Sequence, residues 1–292
     1  MHILPLILLV LILPATMGAC SDSAPPPATG CNGFDDLCER PLDQVVFAKT
    51  HNSHASEDRF YNIASRNHMS AVPTQLADGI RSLNFDVYYE EYLGATEIWV
   101  CHGYCALGWQ PFVDILAEVR QFLDDNPREV VLLDFESYIS AADTVASFDS
   151  ADLTKYTHAQ TPGSPWPTLQ QMIDDDRRLV VFTSNEPGSP AWYHDDAAFM
   201  YGTDWGTETK QDFNCTITSG PIEHGLFGLN HTLTNPISQI EFAEEVNYNP
   251  FLLDRARDCE QQVGRMINIV EVDYYETGDV LETVAILNGV AD

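Results

Sequence analysis

Short apolar runs rich in Val, Ile, Leu and Phe, each closing on polar side chains, recur along this 292-residue chain and alternate with helical patterns. Runs of that length and content read as buried strands. The clearest unit covers 111–136. Phe112, Ile115, Leu116, Val119, Phe122 and Leu123 fall on one helical stripe behind Pro111, and Asn126-Pro127 stops the helix. Val130-Val131-Leu132-Leu133-Asp134-Phe135-Glu136 then follows as a strand. Strands are expected at 44–50, 80–88, 98–102, 130–136, 179–183, 199–205, 226–231 and 266–273, and helices at 111–125, 168–175, 251–262 and 280–287. Alternation of this kind buries a parallel sheet beneath helices, so the expected fold is α/β, a single (β/α)8 TIM-type barrel, regular or irregular, over residues 44–292. Residues 53–72 read as a loop and short helix over the site. The stretch 140–166 has no place in the scheme except as an irregular insertion near the mouth.

Parallel barrels carry their chemistry at the C-terminal ends of the strands. His51 and Asn52 follow the run Val45-Val46-Phe47, and His102 closes Trp99-Val100-Cys101. Alternation puts Asn84, Asp86 and Tyr88 on one face of their strand and Leu83, Phe85 and Val87 on the other, which assigns the polar set to the barrel interior. Asp134 and Glu136 likewise share a face. Brought together, Asn52, Asn84, Asp86 and Glu136 offer two carboxylates and two amide oxygens, a hard-oxygen set suited to Ca2+ and, as second choice, Mg2+. The imidazoles of His51 and His102 can take and return a proton near neutral pH. No Ser or Cys nucleophile motif accompanies them, which points to phosphodiester chemistry. Lys49, on the His51 face, is expected to pair with a carboxylate. Asp273, at the end of the last strand, could orient His51, cap a helix or pair with an arginine. His54, His158, His194, His224 and Arg81 read as structural, His231 as a rim contact, and Trp192, Tyr193, Trp205 and Tyr274 as core or as an aromatic rim.

A formal net charge of −30, from 14 basic and 44 acidic residues, repels a nucleic-acid backbone and weakens docking to an anionic membrane. Nucleic acid is therefore not expected as a partner, and a monomer is. Residues 1–19 form a short, proline-interrupted apolar segment ending in Gly18-Ala19, as an export signal does. Met17-Gly18-Ala19-Cys20 resembles a bacterial lipobox. Residues 20–43 would then comprise an acylated Cys20, a Ser/Pro/Ala tether and a lead-in clipped by cysteines, in an exported surface lipoprotein or a secreted or periplasmic protein held to a membrane surface by its lipid. Setting Cys20 aside leaves six cysteines, an even set that in an exported chain favours disulfides over zinc. Proximity ranks the pairings Cys31 with Cys38, Cys101 with Cys105, and Cys215 with Cys259.

Four motifs in order, Thr50-His51-Asn52-Ser53, Gly79-Ile80-Arg81-Ser82-Leu83-Asn84-Phe85-Asp86, His102-Gly103, and Glu129-Val130-Val131-Leu132-Leu133-Asp134-Phe135-Glu136, resemble the X-domain of phosphatidylinositol-specific phospholipase C, particularly its bacterial exported relatives. The resemblance implies a phosphodiesterase acting on a phospholipid. In it His51 is the general base for the inositol 2-hydroxyl, His102 the acid for the departing diacylglycerol oxygen, and Asn52, Asn84, Asp86 and Glu136 the calcium ligands. Asn84 stands where eukaryotic members carry an acid. Tyr88 stands where metal-independent bacterial members carry an arginine, which favours a bound ion. A phosphodiesterase of another lipid or of a glycerophosphodiester, and a non-catalytic surface lipoprotein on the same barrel, are the alternatives; the His-Arg opening and Glu-x-Asp pair of glycerophosphodiesterases are absent.

Overall fold

The computed structural model describes residues 30–291. The expected leader at 1–19, Cys20 and tether residues 21–29 lie outside the described residues. Eleven strands follow one another along the described chain: β1 Phe47–Thr50, β2 Ser82–Tyr92, β3 Ala95–Val100, β4 Gln110–Pro111, β5 Val131–Ser137, β6 Leu179–Thr183, β7 Tyr193–Asp195, β8 Met200–Thr203, β9 Ile217–Ser219, β10 Leu226–Asn230 and β11 Ile269–Val272. The helices among them are α1 Val72–Asp78, α2 Phe112–Asp125, α3 Ala141–Ser150, α4 Leu169–Asp174, α5 Asp196–Phe199, α6 Ile240–Val246, α7 Phe251–Val263 and α8 Val280–Leu287.

The sheet order is β7-β6-β5-β2-β1-β11-β10-β8-β9, and every neighbour pair from β7 to β8 is parallel. Eight parallel strands thus succeed one another in chain order around a curled sheet. Among the described residues no ladder joins β7 to β8, so the TIM-type barrel is open along that seam, which α5 bridges.

Two expected elements need correction. The segment expected as the third barrel strand, 98–102, is instead the end of β3, an antiparallel partner of the outer half of β2 running from Val87↔Val100 to Tyr92↔Ala95. Leu93 and Gly94 make the turn with φ of 51° and 84°, the left-handed pair that a two-residue hairpin of matching twist requires. The vacated barrel position belongs to β7, whose three residues are too few for a pattern to register. The stretch 140–166 is not irregular throughout: it holds α3, whose N-cap Ser140 accepts from Asp143 N and which buries Thr144 and Phe148.

Outward-facing Leu83, Phe85 and Val87 pack with Ile115, Leu116 and Val119 of α2 in the larger core cluster. The barrel interior is layered. At the bottom Phe47, Leu132, Val180, Phe182 and Ile269 form an apolar plug. Two residues further along the strands the lining turns polar, with Lys49, Asn84, Asp134 and Glu271, and two further on it carries His51, Asp86, Glu136 and Asp273. Period-two alternation on four adjacent strands therefore delivers the site.

The disulfides are Cys31–Cys38, Cys101–Cys105 and Cys215–Cys259, the expected pairings. The last spans 44 residues and ties α7 to the loop before β9. Replacing both Cys215 and Cys259 with Ala is expected to destabilise the fold by roughly 2–4 kcal/mol through restored unfolded-chain entropy. Urea unfolding at constant pH would measure it; a loss below about 1 kcal/mol would show that this loop is already restrained in the unfolded chain.

Candidate active site

The turn after β1 is built by the hydroxyls on either side of it. Thr50 Oγ1 lies 2.7 Å from Ser53 Oγ and donates to Gln75 Oε1 of α1 at 2.8 Å. Ser53 Oγ accepts from Asn84 N at 2.9 Å, so the turn is fastened to β2. Asn52 adopts φ 48°, a conformation that asparagine tolerates better than most residues, and its N–H donates to Asn84 Oδ1 at 2.9 Å. In the orientation that satisfies both neighbours, the Asn52 side-chain oxygen accepts from His51 Nε2 at 3.1 Å and its nitrogen donates to Asp86 Oδ1 at 3.0 Å.

His51 is gripped from the last strand. Its Nδ1 lies 3.0 Å from Asp273 Oδ1, and Asp273 also accepts from Asn67 Nδ2 at 2.7 Å and Ser238 Oγ at 2.8 Å. Of the three roles open to Asp273 in the sequence, the geometry selects the first. Burial works against an imidazolium at His51, but Asp273, then Glu271 and Asp86, outweigh it and lift the pKa to about 9. Burial likewise opposes charge on Asp273, yet His51 and the hydrogen bonds hold its pKa below the usual value.

His102 arrives by a different route. Beyond Asp86, β2 leaves the barrel; β3 returns antiparallel, and Cys101 N donates to Asp86 O at 3.2 Å. That return sets His102 beside the mouth, its ring centroid 6.4 Å from that of His51. Nδ1 lies 3.1 Å from Ser65 O, which fixes the proton on Nδ1 and leaves Nε2 available. The loop holding Ser65 is seated by Tyr61, whose hydroxyl donates to Val100 O at 2.9 Å. Gly108 is required there: at φ 153° a Cβ would come within 2.5 Å of the Tyr61 ring. Burial, then the charge on His51, lowers the pKa of His102. The free site therefore holds a protonated His51 and a neutral His102, the reverse of the charges at the start of the reaction that the resemblance implies.

Asp86 and Glu136 are direct partners in the β2–β5 register, as are Asn84 and Asp134. Burial, then the Glu136 charge, raises the Asp86 pKa to about 7. Glu136 also accepts from the Tyr138 hydroxyl, and the Tyr138 ring stacks on Tyr88 with centroids 4.5 Å apart. Asp134 belongs to the layer below, where Lys49 Nζ lies 2.5 Å from Asp134 and 3.0 Å from Glu271. Five of the six residues expected in the site, His51, Asn52, Asp86, His102 and Glu136, thus meet at one mouth, and Asn84 lies one layer below them beside Asp134, its side chain holding Asn52 N and Asp134 O. Asn67 and Ser238, which complete the Asp273 cluster, carry no sequence signal: both sit in loops far from Asp273 in the chain.

Several lesser expectations sort cleanly. His231 is not at the rim; it is fully buried, with Nε2 2.9 Å from Val246 O. Arg81 pairs with Glu129 at 2.7 Å. Trp192, Tyr193 and Tyr274 are buried, whereas Trp205 is exposed. Burial, then Arg255 and Lys210, depresses the His231 pKa to about 3, and burial with a lesser push from His158 depresses that of His194 to about 4 despite its bond to Val181 O. Both stay neutral in the fold below pH ~6.5, where the unfolded chain protonates them. Their contribution is whole above that pH and is lost as pH falls toward the folded values. Between pH 7 and 5 each is expected to cost roughly 2 kcal/mol. Urea midpoints across that range in wild type and His231→Gln would test this; an unchanged slope in the variant would rule His231 out as a source.

These features define an open parallel α/β barrel with paired histidines at its mouth. A family model described as PI-PLC X matches residues 37–288, and the chain belongs to that family. It is 29% identical over 280 residues to an uncharacterized secreted protein of Arthroderma benhamiae, covering 86% of this chain and 61% of that one. It is 27% identical over 280 residues to a PI-PLC X domain-containing protein of Arabidopsis thaliana, covering 85% and 63% respectively, so it spans about three fifths of the length of both relatives. Among solved structures, a phosphatidylinositol-specific phospholipase C of Staphylococcus aureus superposes with a TM-score of 0.59 at 13% identity, covering 89% of this chain and 96% of that one. That likeness establishes the shared fold. No helix among the described residues is long and apolar enough to cross a membrane.

Proposed function

We propose that the protein is an exported phosphodiesterase that cleaves a phosphoinositide-type phospholipid by histidine acid–base chemistry with a bound divalent cation. The observation that carries the reading is the pair of imidazoles with centroids 6.4 Å apart, facing the Asp86–Glu136 pair across one mouth. A phosphodiester fits between a base for the attacking hydroxyl and an acid for the leaving oxygen. His51 Nε2 takes the proton from the attacking inositol hydroxyl while Asp273 holds the ring through Nδ1. His102, anchored through Nδ1 to Ser65 O, offers Nε2 to the departing glycerol oxygen. For His51 to serve as base it must first give up the proton it holds in the free site.

The donor set fits a hard cation. Asp86 and Glu136 are like charges in direct register, and the Asn52 amide lies against Asp86. Asp86, Glu136 and, with its amide turned over, Asn52 would hold calcium, with magnesium the second choice, and Asn84, whose oxygen is bonded to Asn52 N, would join them only by releasing that bond. When bound, such an ion supplies neutralisation of the phosphoryl oxygens, a more acidic attacking hydroxyl and a counterweight to charge on His51.

A lipid substrate is supported by the rim. Phe60, Ile63, Leu93 and Tyr104 are exposed, on the hairpin and on the loops that flank His102. With a charge of −30 this rim suits a zwitterionic surface better than an anionic one. Export is supported by the three disulfides and by the secreted fungal relative. Acylation of Cys20 would hold the enzyme at a membrane.

The test is release of phosphorylated head group from mixed phosphatidylcholine–phosphatidylinositol vesicles, with calcium and with chelator. Release is expected with calcium and is expected to fall to background in chelator. Equal release in both would remove the cation, and none in either would remove phosphatidylinositol as the substrate.

A further inference from the structure

A second cavity, of about 400 Å³, lies away from the mouth, between α7 and the loop that precedes β9. Phe213 from the loop and Phe251 from α7 form its aromatic walls, and the Cys215–Cys259 bridge fastens the two sides together. Arg255 of α7 also lines it, only 7% exposed. Its guanidinium lies 4.1 Å from the Phe213 ring centroid, donates through Nη1 to His231 Nδ1 at 2.9 Å and reaches Asn214 O through Nη2 at 3.4 Å. Its Nε is buried with no hydrogen-bond partner, and no carboxylate among the described residues pairs with it. In a chain with 44 acidic and 14 basic residues, a buried guanidinium without a carboxylate is a costly arrangement. Lys210, across the cavity, donates to Glu245 O at 3.0 Å and has N–H groups to spare.

We propose that this cavity binds a small molecule carrying one phosphate-type oxyanion, gripped by Arg255 and Lys210, which lie over the Phe213 and Phe251 rings, with its remainder in the open part of the cavity beside them. The guanidinium fork matches such an anion, and the walls leave room for more than the phosphate alone. Asp254 and Asp258, exposed on the same helix, disfavour a ligand with several negative charges and can accept from its hydroxyls. His231, buried and neutral, takes one Arg255 proton without cancelling the charge.

The experiment titrates inorganic phosphate, and separately glycerophosphocholine, into the full chain while backbone amide resonances are followed. Saturable shifts are expected at 213–215 and 251–262. Lys210→Met and Arg255→Lys should each raise the midpoint at least tenfold, and His102→Ala should leave it unchanged. A response to phosphate alone assigns a free phosphate ester, and one to both assigns a lipid head group. Shifts confined to the mouth residues, a response that fails to saturate, or equal midpoints in wild type and Lys210→Met would each overturn the site. Lys210 is half-exposed, so its replacement tests the proposal even if Arg255→Lys does not fold.

Discussion

His51→Ala and His102→Ala are each expected to cut phosphodiester turnover by about 10²–10⁴-fold while leaving the fold intact, the range that general acid–base groups supply. The structural cost should be small at His102, which is bound through a single carbonyl, and larger at His51, whose loss leaves buried Asp273 with only Asn67 and Ser238 as side-chain donors. If the two rings act in one concerted proton relay, the double variant should be little worse than either single one, because groups that work as a unit do not lose additively. Turnover of soluble and vesicular substrates, with circular dichroism as the check on folding, makes the comparison. Turnover within threefold of wild type in either variant would remove that histidine from the chemistry.

Lys49→Met is expected to destabilise the protein by about 3 kcal/mol, because it strands two largely buried carboxylates. Lys49 is 6% exposed, and the side chains of Asp134 and Glu271 keep only 17% and 14% of their surface, too little for water to replace it fully. Burial disfavours the ammonium, yet the two carboxylates raise its pKa above the usual lysine value, so Lys49 stays charged at any working pH. Packing alone does not explain the loss, since Met nearly matches the stem of Lys. A variant that also carries Asp134→Leu and Glu271→Gln should recover most of it, because an apolar replacement of a whole buried cluster is often close to neutral. Guanidinium unfolding would decide; a single-variant loss below about 1 kcal/mol would mean that water reaches the layer beneath the mouth.

Much of this is legible in the sequence. Strand-end residues on successive apolar runs had to converge if the sheet closed, and period-two alternation chose which of Asn84, Phe85 and Asp86 faced inward. The third strand misled because Ile98-Trp99-Val100 has the content of a buried barrel strand. The signal against it was the connection: Leu93-Gly94 is far too short for a parallel crossover, which needs about a dozen residues, so β3 had to run antiparallel. Strand β7 was missed because Tyr193-His194-Asp195 has neither the length nor the apolar run that marks a strand. The grip on His51 was only half visible. Asp273 offered itself by position, but Asn67 and Ser238 join it from loops whose meeting depends on the finished fold.

One ribbon does two jobs in this molecule. From Asp86 to Tyr92 the backbone of β2 is continuous and laddered, about 20 Å at the usual strand rise, and its return strand leads to His102. The exposed hairpin tip and His102 are therefore the free end and the root of a single cantilever. The length of that beam sets how far the reaction chamber stands from any surface the tip rests on. Lengthening the hairpin by two residues on each side would lift the chamber without touching any residue inside it.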